Sequence, residues 1–417
     1  MGLNRAIWLY LILLIAEGAL RKWVLPGLAT PLLIVRDPIA AFMIFQAFRL
    51  NILPTTPVFF LSYFIAIISV FAAVLIGHGS LNAALYGARP LILHFPAMFI
   101  MARALDRSDL LQIGRFVMLL SIPMTGLIAW QFYSPQSAWV NVGVGGEGSS
   151  GFSGALGYYR PSGSFSFTSG VSLFYALQAS FLLYFWLSGS RCNRVILYFA
   201  TLSLFIAVPL SISRTLVFQC SLVLVFSFFV SVARANLLQR GLVVGLSVVS
   251  VFIVLSFLGI FETSLDVIRE RFIRAGEAEG GVRGTLGDRY VGGLVRALTG
   301  SGDWPFWGHG IGRGTNVGAK LISGDVSARL DIAENEWQRW VGELGALLGL
   351  SVLWMRTWVT AVAASQSVMA LGRGDILPWL LLCNAATVLP QGSWNQPNAL
   401  GFSVLAGALL IASTRHR

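Results

Sequence analysis

The sequence predicts an all-α polytopic membrane protein of about 12 transmembrane helices, with two long loops on one face. Three observations lead there. Of 417 residues, 56% are hydrophobic and 11% charged, with a mean hydropathy of +0.75, well outside soluble globular composition. Apolar runs of spanning length recur along the whole chain. Arginines collect in alternate short connections. Since a spanning helix needs about 20 apolar residues, residues 1–417 read as a single transmembrane domain.

The runs lie near 5–21, 29–49, 56–76, 83–102, 111–132, 166–187, 194–211, 214–233, 240–260, 337–357, 376–390 and 398–413. The first follows Arg5 like a secretory leader, but Glu17 interrupts it and Arg21, Lys22 and Trp23 stand where a cleavage site needs small residues, so it is kept as a span. Arg103, Arg107, Arg191, Arg194, Arg234, Arg240, Arg373, Arg415 and Arg417 mark one side, which the positive-inside rule makes cytoplasmic, with both termini there. Arg21 and Lys22 break that rule, and Arg36 and Asp37 interrupt the second span. Cys192, Cys220 and Cys383 have no metal-ligand or disulfide spacing and read as packing residues.

The two long loops, 133–165 and 261–336, then face outward. The first is rich in Gly and Ser. The second starts with SLDVIRERFIRA, where Leu265, Ile268, Phe272 and Ala275 form a helical stripe with Arg269, Arg271 and Arg274 off it, as in a helix lying in the membrane interface. Lys22 and Lys320 are the only lysines among 29 basic residues. Arginine's planar fork suits phosphate and carboxylate, so the bias points to anionic ligands or lipids beyond what topology explains.

Phosphate-loop, HExxH, DxD and GxSxG patterns are absent from the sequence, which argues against ATP hydrolysis, zinc proteolysis and lipase chemistry. Candidates gather instead around outer-face arginines. Arg160 stands in YYRPSGSFSFTSG; Ser213 and Arg214 form the short PLSISRT connection, where an arginine at membrane depth must be paired or face a watery cavity. In TLGDRYVGGLVRAL, Thr285 or Asp288 can cap a helix that places Arg289 and Arg296 on one face, with Gly292 and Gly293 leaving room for a diphosphate. PFWGHGIGRG supplies a glycine-rich turn with His309 and Arg313. ENEWQRWVGELGALLGL puts Glu334 and Asn335 at a membrane entrance, pairs Glu343 with Arg339 at i,i+4 spacing, and offers Gly345 and Gly349 as a small-residue packing face. Glu17, Arg36, Asp37, Arg89, His94 and Arg115 are expected to pair inside the membrane.

In order, R-P-S-G-S-F at Arg160–Phe165, S-R-T at Ser213–Thr215, the helix with Arg289, G-H-G-I-G at Gly308–Gly312 and E-N-E-W-Q-R-W-V-G-E-L-G at Glu334–Gly345 resemble the bacterial O-antigen ligase and O-antigen polymerase family over about residues 130–350. The resemblance implies a GT-C-like fold in the inner membrane. It implies an active site facing the periplasm and a metal-independent inverting glycosyltransferase without cofactor. The donor would be an undecaprenyl-diphosphate-linked oligosaccharide; the bilayer and other polysaccharide assembly proteins would be the partners, with no nucleic acid.

On this reading Arg214 and Arg289 stabilise the departing diphosphate and Glu334 receives the acceptor proton. Arg160, Ser213, Arg296, His309, Arg313, Asn335 and Glu343 bind substrate, and no metal is bound. Glu334 stands where the ligases often carry histidine, which moves the expectation toward a polymerase of O-antigen, capsule or exopolysaccharide. A ligase acting on a lipid acceptor is the nearest alternative. A transporter or flippase for lipid-linked glycans is the alternative of another class.

Overall fold

The computed structural model describes residues 2–146, 148–149, 151–233, 262–279, 292–299, 305–324 and 335–415, with positions 237, 239, 241, 245 and 246. It is 77% helical. Helix α1 (Leu3–Ala19) runs on as a π-helical turn (Leu20–Val24), followed by α2 (Asp37–Arg49) and α3 (Pro57–Leu75). α4 (Leu81–Arg89) continues through a π-helical turn (Pro90–His94) into α5 (Phe95–Ala104), and α6 spans Arg107–Tyr133. A small hairpin, β1 (Phe152–Ser153) and β2 (Tyr159–Arg160), precedes α7 (Thr168–Ser188), α8 (Arg194–Leu210) and α9 (Arg214–Ala233). α10 (Glu262–Glu279), α11 (Gly292–Thr299) and α12 (Asn316–Ser323) follow, and α13 (Glu336–Arg373), α14 (Leu377–Val388) and α15 (Pro397–Arg415) complete the bundle.

Among the described residues, nine helical stretches are long and apolar enough to cross a membrane, and Arg194–Leu210 and Leu377–Val388 are shorter apolar helices. The architecture is thus an all-α, multi-pass membrane protein. Most of the run at 240–260 lies outside the described residues. α7 and α15 form the centre: 94% and 89% of their apolar windows are buried, against 28% for the stretch ending at Arg49. Local signals set the ends, as when Asp106 and Asp109 form a reciprocal capping box at α6, and Asn193 caps α8 through Val195 N.

The bundle has two chemically distinct ends. At one, Arg107 forms a fork with Asp375 at 2.8 and 2.9 Å, Arg415 donates to Ala102 O, Arg103 donates to Leu53 O, and Asn4 reaches Asp109. The start of α1 and the end of α15 lie here. At the other end stand the loops 134–167, 211–213, 305–315 and 389–396, all linked by the contacts described below.

α13 is not one rod. Gly345 sits at φ 75°, ψ 174°, a left-handed region that glycine enters freely. Beyond it the chain turns back on itself. Glu336 and Arg356, 20 positions apart, are 3.0 Å from each other, whereas an unbroken helix would separate them by about 30 Å. Gly349 nests against the backbone of Trp340 and Val341, where a β-carbon would come within 2.6 Å of Val341 Cα. The expected small-residue face is therefore divided: Gly349 closes an elbow within α13, and Gly345 faces the turn at Phe306 and Gly308.

Candidate functional site

The first part of the site is built on the connection into α7. β1 and β2 pair Phe152 with Arg160 and Ser153 with Tyr159, so Arg160 leaves the hairpin directly into Pro161–Phe165. Ser162, Ser166 and Phe165 are buried there. The chain is held by the end of α1: Lys22 Nζ donates to Ser162 Oγ at 3.0 Å and Gly163 O at 2.6 Å, and Arg21 donates to Ser166 Oγ at 2.8 Å and Glu17 at 3.1 Å. Gly18 allows this contact, since a β-carbon there would overlap the Phe165–Ser166 peptide. Arg21 and Lys22 break the positive-inside pattern because they are buried structural donors to this loop.

The second part is the turn between α8 and α9. Ser213 Oγ shares a 2.7 Å hydrogen bond with Ser172 Oγ of α7 and accepts from Leu216 N. Ile212, fully buried, is held at φ 47°, a strained conformation for a β-branched residue. The space over Gly154 is filled by Ile212 Cδ1, so the hairpin bearing Arg160 rests on the turn bearing Ser213 and Arg214. Arg271 of α10 donates to Ser153 O and Gly154 O at 3.2 and 3.3 Å and clamps the hairpin from outside. α10 buries Ser264, Val267 and Ile268, while Phe272 is 45% exposed. Its inward face is therefore rotated from the expected Leu265–Phe272 stripe, because the hairpin backbone captures Arg271.

The third part is the glycine turn. Gly308, Gly310 and Gly312 all have positive φ, at 70°, 95° and 96°, so the alternation of glycines reflects three left-handed positions. The turn packs on the α13 elbow through His309 N to Gly342 O and Gly310 N to Glu343 O. Glu343, fully buried, accepts from Gly312 N at 3.1 Å, Gly314 N at 2.7 Å and Arg339 at 3.1 Å. On the other side His78 Nε2 meets Ile311 O at 3.1 Å. Glu343 is thus engaged in holding the turn, with the expected Arg339 pair as one of its bonds. His309 and Arg313 are half-buried on the same turn. Burial first, and then the Arg313 charge, hold the His309 pKa below its ordinary value.

Asn335 caps α13 through Trp337 N at 3.1 Å. Its amide fills the space above Gly293, so the room expected beside that glycine is taken by protein and α11, the helix of Arg296, is drawn onto α13. The Arg296 side chain, Arg289 and Glu334 lie outside the described residues. The elements of Arg296, His309, Arg313, Asn335 and Glu343 thus meet around the elbow, while Arg160, Ser213 and Arg214 form a separate group at α7. The loop 389–396 bridges the two: Gln396 accepts from Ser169 at the start of α7, and Trp394 N donates to Glu336.

Three buried charges here are not distinguished as partners by the sequence. Glu336 accepts from both Arg339 and Arg356, from Trp340 Nε1 and from Trp394 N, which leaves Glu336, Arg339, Glu343 and Arg356 balanced as two anions and two cations. Lys22 is the third, after Glu336 and Arg356. An apolar flank with a charge on one helical face is the available signal, but it names no partner. Most of the other expected pairs form: Glu17 with Arg21 and Arg36, and Asp37 with Arg89 and His94; Arg115 instead donates to the backbone carbonyl of Arg191 at an exposed contact.

The geometry defines a class, a multi-pass helical membrane protein with a polar, arginine-bearing end. No family model, curated protein or solved structure matches the chain.

Proposed function

We propose that the chain is a polymerase-type membrane glycosyltransferase. It joins undecaprenyl-diphosphate-linked oligosaccharide repeat units at the outer face of the bacterial inner membrane. The observation that carries this reading is the seating of the Arg160 hairpin on the strained Ile212–Arg214 turn. It brings two arginine-bearing motifs, far apart in sequence, to one end of an apolar bundle. Strain at a buried β-branched residue is tolerated where surrounding structure over-determines it, and such positions cluster at functional sites.

Arg214 neutralises the charge that grows on the departing diphosphate, with Ser213 holding its turn against α7. Electrostatic stabilisation of this kind is commonly the largest catalytic contribution. Arg160 holds a phosphate oxygen or the first sugar. Arg289 assists at the diphosphate and Glu334 takes the acceptor proton in a single inverting displacement; both remain parts of the proposal carried by sequence. Arg296, His309, Arg313 and Asn335 border the acceptor, with the glycine turn setting their backbone. Guanidinium forks fill the role that a metal ion fills in DxD-type glycosyltransferases.

The test is glycosidic bond formation by purified protein in detergent with lipid-linked repeat units. Wild-type protein elongates them and Arg214→Ala does not. Elongation by Arg214→Ala at the wild-type rate overturns the assignment, and movement of lipid-linked glycan without any new bond points to a flippase. In cells lacking the protein, accumulated single repeats indicate a polymerase and accumulated long chains a ligase.

A further inference from the structure

α15 begins at Pro397, and the backbone N–H groups of Asn398 and Ala399 precede its first intrahelical bond, Leu400 N to Gln396 O. A helix terminus of this kind carries a partial positive charge of about half an elementary unit. A cation is pressed against it. Arg36 donates through Nη2 to Pro397 O at 2.6 Å, and Gly401 makes the room, since a β-carbon there would overlap Arg36 Nη1. Cations belong by preference at the other end of a helix, so this placement raises the positive potential at the start of α15.

The protein does not balance that charge. Arg21 and Arg36, both buried, share a single carboxylate, Glu17, at 3.1 and 3.5 Å, while Asp37 is taken by Arg89 and His94. Buried charges are normally paired. Three polar atoms at the same place also have no hydrogen-bond partner among the described residues: Arg36 Nε and both amide atoms of Asn398. Asn398 is 0% exposed. Side chains on a helix lean toward its N-terminus, so the Asn398 amide leans toward the end that Arg36 approaches. The Arg160 loop joins this point as well: Phe165 packs on Phe402 of α15 with ring centroids 5.8 Å apart, and Arg21 binds Ser166. Pro390, Gln391, Gly392, Ser393, Asn395 and Gln396, which lead into α15, are half-buried, so a single loop separates the helix terminus from the outer surface.

We propose that the N-terminus of α15, with Arg36 and Asn398, is a phosphate site that takes the diphosphate of the lipid-linked donor. The proposal rests on the donor class assigned above and adds two binding residues to it. Helix termini hold phosphate through their free backbone N–H groups, a guanidinium adds charge-assisted bonds, and Asn398 supplies an amide donor. The phosphate is the anion that Arg21 and Arg36 lack. It enters from the outer face by displacing the loop that leads into α15.

The experiment measures binding to purified protein in nanodiscs by native mass spectrometry, and thermal unfolding with and without ligand. The probes are undecaprenyl diphosphate, undecaprenol, inorganic diphosphate and phosphatidylglycerol. Wild-type protein prefers undecaprenyl diphosphate to undecaprenol. Asn398→Leu and Arg36→Gln each reduce that preference about tenfold, the scale of one charge-assisted hydrogen bond, and leave undecaprenol binding unchanged. Asn398→Asp keeps the shape of the side chain and supplies the missing anion. It therefore unfolds at a higher temperature than wild type without ligand and no longer discriminates between the two lipids, which keeps the test decisive if Arg36→Gln does not fold. Wild-type binding of undecaprenyl diphosphate in both Asn398 variants overturns the proposal. So does an Asn398→Asp protein that is less stable than wild type and binds the diphosphate normally, which marks a buried amide serving water or packing alone. Equal affinity for phosphatidylglycerol, a general attraction of anionic lipid, overturns it too. Inorganic diphosphate separates the sources: a rise in unfolding temperature in wild type and not in Asn398→Asp supports a site for the phosphate group alone, and a rise with the lipid form only supports a site for the membrane-borne diphosphate. If the variants lose the preference but wild-type protein forms no glycosidic bond, the glycosyltransferase reading fails and the phosphate site stands. If wild-type protein polymerises and both Asn398 variants bind as it does, the site fails and the reading stands.

Discussion

Glu336 and Arg356 meet at 3.0 Å across the α13 elbow, and their contact fixes how the outer half of the helix folds back on the inner half. Both are buried, and Arg356 also binds Leu389 O and Gly392 O, so the pair ties the elbow to the loop that bridges the two groups of site residues. Breaking a buried pair by removing one partner costs about 3–5 kcal/mol, because a charge is left uncompensated. Arg356→Ala is expected to destabilise the protein by about that amount. Glu336→Gln combined with Arg356→Met is expected to cost less than the sum of the single changes. Thermal unfolding in detergent measures the coupling; additive effects would show that the pair does not hold the elbow.

Gly345 supplies a second, independent test of the same fold. A β-carbon there would overlap Phe306 O and crowd Gly308 N, and a left-handed conformation costs an L-residue about 1–2 kcal/mol before any overlap. Gly345→Ala is expected to destabilise by more than that and to release the glycine turn, seen as faster proteolysis near 305–315. Gly126 in α6 is the control, because nothing lies within 4 Å of a β-carbon at that position. Gly126→Ala is expected to be neutral or to stabilise by about 0.5–1 kcal/mol. Equal effects at the two positions would count against the elbow.

Much of this organisation is legible in the sequence, and the missing parts have common physical causes. Hydropathy finds the helices because burial in lipid is a property of long windows. The alternation of Gly308, Gly310 and Gly312 announces a turn because glycine alone enters positive φ without cost. The Arg339–Glu343 pair is visible because partners one turn apart must be neighbours. The Glu336–Arg356 pair is invisible because nothing local distinguishes a break at Gly345 from small-residue packing. Lys22 and Arg21 read as a topology anomaly because their partners, Ser162 and Ser166, are 140 and 145 positions away. For the same reason the sequence offers Glu343 as a ligand group, when its oxygens are taken by the backbone of a turn some 30 positions earlier.

His309 gives the turn a pH dependence of known sign. Its pKa lies below the ordinary value through burial and through Arg313, so the folded protein takes up its proton less readily than the unfolded chain. The stability this contributes is fully present above the unfolded value of about 6.5. It is lost as pH falls from there through the lowered folded value. His309→Gln is expected to flatten the decline in thermal stability over that acidic window, and Arg313→Gln to narrow it by removing the second of the two causes. An unchanged profile in His309→Gln would assign the acid sensitivity to another group.

Ser213 separates positioning from chemistry at the α8–α9 turn. Its hydroxyl bonds Ser172 on α7 and accepts from Leu216 N, so it fixes the direction in which Arg214 leaves the turn. Ser213→Ala is expected to cost about 1 kcal/mol of stability and to lower the turnover number for repeat-unit joining while leaving donor affinity nearly unchanged. Ser213→Thr, which keeps the hydroxyl, restores much of the rate. Arg214→Ala, which removes the proposed diphosphate partner, is expected to lose on the order of 100–1,000-fold in turnover, the scale of one preorganised electrostatic donor. Single-turnover assays with lipid-linked repeats distinguish the two. A Ser213→Ala enzyme that turns over normally would make the hydroxyl a structural cap only, and an equally active Arg214→Ala enzyme would remove the leaving-group role from this turn altogether.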